Sequence, residues 1–337
     1  KTHGMTINEI KNDNFKIFST FKMYENNSDD SGAKMTNAFG RSIISLTNII
    51  QQIKPDVILA GFDIGANFAA AIVGAHLNIL VAHMEGGDVT GTIDESIRHA
   101  TSKFAHIHFT TNKKASERLR KMGEDPNFIF TVGNPSLDEI KNIKHITDKS
   151  LEDEFDIDLK NPFAIVLLHT VTSELKNLEK NISEILDGIK QSTIPTLIIH
   201  GNSDAGSEII RKKIENSNFK YVDTIEFQKF INLLKRATLL IGNSSSGIME
   251  APFLGIPSIN VGTRQNGRLR AKSVIDVNYD KNEIMKAIFK IMTDKKFNLP
   301  IASQDTFYGI GNTSKKIVKI LDTLDLNSIS VQKKLKY

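Results

Sequence analysis

Residues 83–99 of this chain carry an unusual density of groups that can accept or donate protons. The segment reads HMEGGDVTGTIDESIRH and contains four carboxylates, Glu85, Asp88, Asp94 and Glu95, with two histidines, one arginine and three glycines. It directly follows an apolar stretch that predicts a buried strand. Glycines let a backbone approach a ligand closely, and carboxylates supply general acids and bases. We therefore interpret the segment as part of an acid–base site.

The same segment also has a structural interpretation. Its capping-box pattern, which begins at Thr92, predicts the start of a helix. On a helix surface, oppositely charged side chains four residues apart contribute about 0.2–0.5 kcal/mol per pair. Two such pairs are present: Asp94 with Arg98, and Glu95 with His99. For these residues both interpretations stay open, whereas Glu85 and Asp88 flank a glycine pair after a strand and favour a site.

A second motif, GNSSSG at residues 242–247, lies between an apolar strand and a predicted helix. A Gly/Ser turn of this kind directs backbone N–H groups and hydroxyls at an anion, which suits a phosphate or diphosphate. The alternative is an ordinary strand–helix turn with serine caps. Glu250, one turn later, is placed to reach a ribose hydroxyl or to face solvent. Arg264, after the next strand, is placed to neutralise phosphate charge.

Polar residues also end two other predicted strands of the second half, since His169 and Asn202 each follow an apolar run. Together they favour a shared site at one sheet edge. In the first half, Asp63 follows a strand at the same sheet edge as Glu85. His106 and His108 alternate along a predicted strand, and we expect at least one to be an interior histidine rather than a metal ligand.

Apolar runs alternate with helical stretches along the chain. In the first half the pattern predicts strands over 56–60, 79–82, 105–110 and 128–132, and helices over 67–76, 93–103 and 113–122. In the second half it predicts strands over 163–168, 196–200, 238–241 and 258–261, and helices over 174–190, 207–216, 226–236 and 247–254. Such alternation is typical of parallel sheets buried on both faces. It predicts an α/β protein with two Rossmann-like, doubly wound domains facing a cleft.

The domain boundaries follow from composition. The charged segment 143–161, ahead of Pro162, predicts a linker between an N-terminal domain over 1–142 and a C-terminal domain over 162–325. The Lys-rich end, 326–337, predicts a solvated tail.

Overall composition excludes several classes of function. The 337 residues carry 43 basic and 39 acidic side chains, a net charge of +4, which argues against a dedicated nucleic-acid surface. Cysteine is absent, so thiol nucleophiles and zinc–thiolate sites are excluded. The apolar stretch 57–82 is interrupted by Asp63 and His76, which disfavours a bilayer helix. We expect a cytoplasmic protein that binds neither nucleic acid nor membrane and uses no metal.

Together these motifs resemble the hydrolysing UDP-N-acetylglucosamine 2-epimerases, which make N-acetylmannosamine-type sugars for sialic and legionaminic acid biosynthesis. The resemblance spans nearly the whole chain and is densest at residues 83–99, 105–135 and 241–264. It implies a GT-B-like fold with the active site between two Rossmann-like domains. It further implies a UDP-sugar substrate, no cofactor and a homo-oligomer, either a dimer or a tetramer.

The resemblance also implies roles for individual residues. Catalytic roles fall to Asp63, Glu85, Asp94 and His169. Contacts with UDP fall to Asn202, Ser244, Ser245, Glu250 and Arg264, and supporting roles to Asp88, Arg98 and His99. The implied reaction is anti elimination of UDP across C1–C2, followed by addition of water with inversion at C2.

The chain departs from the family pattern at two places, and two alternative functions stay open. Ile64 stands where the family carries an arginine, and the N-terminal domain is expected to lack its first strand–helix unit. One alternative is a GT-B nucleotide-sugar glycosyltransferase, although glycosyl transfer does not need the carboxylates that remove a C2 proton. The other, motivated by Ile64, is a catalytically weakened nucleotide-sugar binding protein.

Overall fold

The computed structural model describes residues 7–24, 31–62, 65–201, 204–297 and 307–336. The chain forms two compact units, each built on one parallel sheet. The four-stranded unit comprises Lys16–Asp138 with Phe307–Tyr337, and the six-stranded unit comprises Lys1–Phe15 with Glu139–Thr306. The predicted α/β class with two parallel sheets is therefore confirmed.

Strands and helices alternate along most of the chain. The strands are β1 Val57–Gly61, β2 Leu80–Met84, β3 Ile107–Thr110, β4 Ile129–Thr131, β5 Ala164–Leu167, β6 Thr196–Ile199, β7 Lys220–Val222, β8 Leu239–Gly242, β9 Ser258–Val261 and β10 Val274–Val277. The helices are α1 Ile7–Asn12, α2 Gly32–Ile53, α3 Gly65–His76, α4 Ile93–Phe104, α5 Lys113–Lys121, α6 Ser136–Asn142, α7 Asp148–Phe155, α8 Leu178–Ser192, α9 Ser207–Glu215, α10 Phe227–Leu234, α11 Glu250–Phe253, α12 Lys281–Thr293 and α13 Thr313–Thr323.

Every predicted strand is present, with ends shifted by at most two residues. The predicted helix over 247–254 is wrong. A 3-10 turn over Ser245–Gly247 and the four-residue α11, Glu250–Phe253, replace it. Gly255, with a φ of 77°, follows the predicted helix end, so the difference lies at the start, where the 3-10 turn stands in place of the first helical turn. Strands β7 and β10 were not predicted, because runs of three or four residues show too little periodicity.

The four-stranded sheet has the order β1-β2-β3-β4, and both of its faces are buried. On one face Val81 of β2 packs with Ala71 of α3. On the other, Ile107 and Phe109 of β3 pack with Ile317 of α13. Burial on both faces explains why these strands are almost continuously apolar.

The C-terminal residues differ from their predicted assignment. Helix α13, predicted to belong to the C-terminal domain, covers a face of the four-stranded sheet, and Ile329 lies in the same core. The predicted solvated tail is also packed, since Lys333 Nζ donates to the Ser102 carbonyl at 2.7 Å. The local sequence of an amphipathic helix does not indicate which sheet the helix covers. The prediction therefore placed α13 in the domain that precedes it along the chain.

The predicted linker over 143–161 is likewise structured. It contains α7, whose Leu151 and Phe155 are buried. The boundary between the two units lies earlier, between Asp138 and Glu139 within α6. Charge-rich composition here marks an amphipathic helix with a solvated face rather than an unpacked segment.

The six-stranded sheet has the order β7-β6-β5-β8-β9-β10. Counted from β5, this is the doubly wound order 3-2-1-4-5-6 of dinucleotide-binding domains. The winding direction reverses between β5 and β8, which are paired in parallel from Ala164 to Leu167. In sheets of this type, ligands bind at the carboxyl ends of the strands beside the reversal. The topology therefore indicates where in this unit a ligand site is expected.

Across the described residues, no helix is both long enough and apolar enough to cross a bilayer.

Candidate active site

The turn after β2 holds Glu85 in an unusual backbone conformation. Glu85 has a φ of 62°, in the left-handed region that residues other than glycine rarely adopt, and its N–H donates to the Phe109 carbonyl at 2.8 Å. Gly87, with a φ of 76°, passes so close to α5 that a Cβ there would lie 2.3 Å from the Ala115 carbonyl oxygen. Conformations of this kind persist where the surrounding structure imposes them, and they cluster at functional sites.

Asp88 lies beneath this turn and is almost fully buried, with 3% of its surface exposed. Its Oδ1 accepts from the Val89 N–H at 3.0 Å, while Oδ2 is buried without a hydrogen-bond partner among the described residues. Arg98 Nη1 donates to the Asp88 carbonyl at 3.2 Å. A buried carboxylate oxygen without a partner is costly. Asp88 Oδ2 is therefore a candidate contact for a ligand or a bound water.

The first turn of α4 fixes Asp94. Thr92 is the N-cap residue, as predicted, and its Oγ1 accepts from the Asp94 N–H at 3.2 Å and donates to Asp94 Oδ2 at 2.8 Å. The full capping box is not formed, because Glu95 Oε2 accepts from the Thr90 N–H at 2.9 Å instead. The Thr92 cap and the Glu95–Thr90 hydrogen bond together hold the loop against the first turn of α4.

Of the two predicted ion pairs on α4, one lies at the surface. Glu95 Oε1 and His99 Nε2 are 3.9 Å apart. Arg98 is only 1% exposed and lies under the loop, so Asp94 and Arg98 do not form a pair on the helix surface. Arg98 therefore supports the loop from inside the protein instead of forming a surface pair. Burial lowers the pKa of His99, against the opposing effect of Glu95.

His83, at the end of β2, connects the turn to α4. Its Nδ1 lies 3.0 Å from Ser102 Oγ, and that hydroxyl donates to the Arg98 carbonyl at 3.1 Å. Burial holds the pKa of His83 well below 6.5, and the neighbouring His108 and Arg98 add to this effect. Burial also lowers the pKa of His108, against its hydrogen bond to Glu124. As predicted for at least one of them, His106 and His108 are both interior.

These histidines make stability dependent on pH. Below about pH 6.5, His83 and His108 become protonated in the unfolded chain, whereas in the folded state their lowered pKa values keep them neutral. The free energy of unfolding is therefore expected to fall as pH drops from 7 to 5, by up to about 1.4 kcal/mol per pH unit for each histidine. Urea denaturation at several pH values measures the slope. His83→Gln should reduce it, whereas His145→Gln, at an exposed position, should not. Equal slopes in both variants would contradict the assignment.

In the six-stranded unit, Asn243 joins three strand ends at the point where the winding reverses. Its Oδ1 accepts from the His169 N–H and its Nδ2 donates to the His169 carbonyl, both at 2.8 Å. Its own carbonyl accepts from Gln265 Nε2 at 2.8 Å and from Arg264 Nη1 at 3.2 Å. We call these four contacts the Asn243 clasp. The clasp brings His169 and Arg264, which were predicted separately, to one edge of the sheet.

The Gly/Ser turn follows directly. Ser244 Oγ accepts from the Ser246 N–H at 3.3 Å, and Ser244 and Ser245 are both partly exposed. Because α11 has only four residues, it adds little helix dipole, and the hydroxyls and turn amides are the groups available to an anion. Glu250 is buried, which rules out the solvent-facing alternative.

A second connection in this unit was not predicted. Glu174, in the 3-10 turn after His169, accepts from Thr263 Oγ1 and, at 3.0 Å, from the Tyr279 hydroxyl. Burial and the Glu174 carboxylate raise the pKa of Tyr279. The contact ties the loop after β5 to the loop that carries Arg264. Glu174 was not predicted as part of this site because a single acidic residue at a turn belongs to no recognisable motif.

Two predicted site residues, Asp63 and Asn202, lie outside the described residues, as does Ile64. The others fall into two groups by unit. The four-stranded unit holds Glu85, Asp88, Asp94, Arg98 and His99, and the six-stranded unit holds His169, Ser244, Ser245, Glu250 and Arg264. Sequence reasoning missed Asn243 as an individual residue, although it lies inside the predicted GNSSSG turn and directly follows a strand.

Comparison with known proteins assigns this arrangement to a family. The family model described as UDP-N-acetylglucosamine 2-epimerase matches residues 1–322. The chain belongs to this family. The UDP-N,N'-diacetylbacillosamine 2-epimerase (hydrolyzing) of Legionella pneumophila is 33% identical over 330 residues, covering 97% of this chain and 86% of that protein. The UDP-N-acetylglucosamine 2-epimerase of Neisseria meningitidis serogroup B is 32% identical, covering 99% of this chain and 87% of that protein.

Solved structures agree with this assignment at the level of fold. The crystal structure of UDP-GlcNAc 2-epimerase from Neisseria meningitidis bound to UDP-GlcNAc matches with a TM-score of 0.80 at 20% identity. The match covers 96% of this chain and 90% of that chain. The predicted GT-B-like class is thereby confirmed, as is the resemblance to the UDP-N-acetylglucosamine 2-epimerase family with its hydrolysing members.

Proposed function

We propose that this member of the 2-epimerase family is a hydrolysing enzyme that converts a UDP-2-acetamido sugar and water into UDP and the free C2-epimerised sugar. The observation that carries the proposal is the loop from β2 to α4, which holds Glu85 and Asp94 in imposed conformations. Relatives named as hydrolysing 2-epimerases, including the Legionella pneumophila protein, support it. The proposed substrate is UDP-GlcNAc or a UDP-2,4-diacetamido-6-deoxy sugar.

The first step is an anti elimination. A carboxylate removes the proton from C2, the C1–O bond breaks, and the bonding pair leaves with the diphosphate as UDP, so that a C1–C2 double bond forms. We assign proton removal to the carboxylates of the loop, Glu85 and Asp94, with Asp63 added by resemblance. Water then adds, its hydroxyl to C1 and a proton to C2 from the face opposite to the one deprotonated. Positioned general bases contribute about 10²–10⁴-fold to such steps.

The leaving diphosphate needs stabilisation, and the six-stranded unit supplies it in this proposal. Arg264 brings a positive charge, and Ser244 and Ser245 bring hydroxyls beside it at the sheet edge. His169 is held at the same edge by the Asn243 clasp. Preorganised donors of this kind stabilise developing negative charge without reorganisation. Glu250 and Asn202 are assigned to the nucleoside.

Three residues of the four-stranded unit support the loop. Arg98 binds the Asp88 carbonyl from below, and His99 contacts Glu95 on the surface of α4. We assign to Asp88, Arg98 and His99 the role of holding Glu85 and Asp94 in place, since a site must be fixed within a fraction of an ångström to be effective.

The test incubates the protein with each candidate UDP-sugar in deuterated water. We expect release of UDP with an equal amount of free sugar, and one deuterium at C2 of that sugar. UDP-2,4-diacetamido-6-deoxy sugar and UDP-GlcNAc, compared at equal concentration, identify the substrate by the higher kcat/KM. Release of UDP with no deuterium at C2 would indicate glycosyl transfer or simple hydrolysis. Tight UDP-sugar binding without release would indicate a binding protein, and either result contradicts the proposal.

A further inference from the structure

The C-terminal tail of the four-stranded unit contacts a buried carboxylate that the proposed reaction does not use. The Glu124 side chain is fully buried, yet it faces three basic groups: His108 Nε2 at 3.1 Å, Lys103 Nζ at 2.9 Å and Lys333 Nζ. Burial acts to raise the pKa of Glu124, but His108 and Lys333 lower it to about 2. The carboxylate is therefore ionised, and an ionised buried group requires its partners.

Lys333 contacts more than this carboxylate. Its ammonium also donates to the carbonyls of Ser102 at 2.7 Å and Lys103 at 3.2 Å, in the last turn of α4. A cation that binds the final carbonyls of a helix satisfies acceptors that have no partner within the helix and interacts favourably with its dipole. Lys333 thus joins the end of α4 to Glu124, while the start of the same helix carries Asp94.

The contact continues toward the site through Ser102. Its hydroxyl contacts His83 at the end of β2, and the backbone of the Glu85 turn packs directly on this pair. A Cβ on Gly86 would lie 2.9 Å from His83 Nδ1 and 3.2 Å from Ser102 Oγ. Gly86, the residue next to Glu85, therefore packs against Ser102 and His83 with no room for a side chain.

The tail that carries Lys333 is held on both sides. Before it, the Val331 carbonyl lies 3.0 Å from His106 Nε2. After it, the Lys336 N–H donates to the Gly123 carbonyl at 2.8 Å. These backbone contacts place the ammonium without help from the site itself. Lys334, between them, is exposed.

We propose that Lys333 is a positioning residue for the acid–base loop: it fixes the end of α4 against Glu124 and thereby the geometry of Glu85 and Asp94. The expected effect of Lys333 on turnover rests on the proposed function. The expected effect of Lys333 on the geometry of the loop does not depend on that function. Because the nucleotide contacts are assigned to the other unit, loss of Lys333 should act on kcat rather than on KM.

The test compares Lys333→Met, Lys333→Arg and the control Lys334→Met in the full chain, at a temperature where all are folded. We expect Lys333→Met to lower kcat about tenfold with KM changed less than twofold, since small misplacements of reacting groups are costly. The arginine variant should recover most of the loss, because it keeps the charge and the donors. Lys334→Met should match the wild-type protein.

A second readout does not depend on turnover. The Thr90 N–H is held by Glu95 in the loop, and its hydrogen exchange should be about tenfold faster in Lys333→Met while amides of β6 are unchanged. If wild-type protein releases no UDP, the proposed function fails, and exchange still tests the positioning role. Wild-type kcat and wild-type exchange in Lys333→Met would overturn the inference. The inference would also be overturned if kcat fell only in proportion to the fraction of folded protein and Lys333→Arg did not restore it.

Discussion

The Glu85→Gln variant is expected to release UDP about 10³-fold more slowly than the wild-type protein while remaining folded. Glutamine is nearly the same size and retains an acceptor, so the positive φ of 62° and the N–H contact with Phe109 should persist. It cannot take up the proton that a carboxylate takes from C2. The measurement is a continuous assay of UDP release at saturating UDP-sugar, with circular dichroism to verify the fold.

The control for this variant is Glu117→Gln, which removes the same charge from an exposed position on α5. Its kcat should lie within twofold of wild type, so that a general loss of negative charge cannot explain the effect at Glu85. Deuterium exchange at C2 should fall in parallel with UDP release in Glu85→Gln. A variant that kept wild-type UDP release would remove Glu85 from the catalytic assignment.

Gly242→Ala is expected to lower the free energy of unfolding of the six-stranded unit by about 3 kcal/mol or more and to abolish detectable UDP binding. Gly242 has a φ of 138°, and a Cβ there would lie 1.9 Å from the Leu167 carbonyl oxygen. That oxygen also accepts from the Asn243 N–H at 3.2 Å. Relief of the clash must therefore separate β5 from β8 where the Asn243 clasp joins them. Urea denaturation and calorimetry with UDP measure the two effects.

Gly247→Ala is the matched substitution in the same turn. A Cβ at Gly247 would meet Ser258 at 3.5 Å, an ordinary van der Waals contact. Its free energy of unfolding should stay within about 1 kcal/mol of wild type, because no close contact has to be relieved. If Gly242→Ala were as stable as Gly247→Ala and bound UDP normally, the close approach to Leu167 would not be the constraint that shapes this site.

The loop from β2 to α4 shows how far sequence reasoning reaches. Clustered carboxylates after an apolar strand predict an acid–base site here, which stays a prediction, whereas the Thr92 N-cap followed from local spacing and is confirmed. The burial of Arg98 under Asp88 did not follow, because i,i+4 spacing on a helix is equally compatible with a surface pair and with a buried arginine. Only the packing of α4 against the sheet decides which face is covered.

The edge of the six-stranded sheet that carries the Asn243 clasp shows the same division. A Gly/Ser turn after a strand was visible in the sequence, and the residues that follow neighbouring strands were expected to share an edge. The role of Asn243 depends on β5 and β8 being adjacent, although they are separated by β6 and β7 along the chain. Strand order is a tertiary property, and a single asparagine gives no periodic signal of it.

The sequence by itself determined the alternation of strands and helices and the α/β class, and it singled out the two segments for which we predict chemistry, because each depends on residues close together in the chain. The tertiary structure alone decided that the C-terminal helix and tail complete the four-stranded unit, and that Lys333 reaches Glu124. Those contacts join residues more than 200 positions apart, as the His106 contact with Val331 does. Local pattern carries no information at that range, since only the folded core brings such residues within hydrogen-bonding distance.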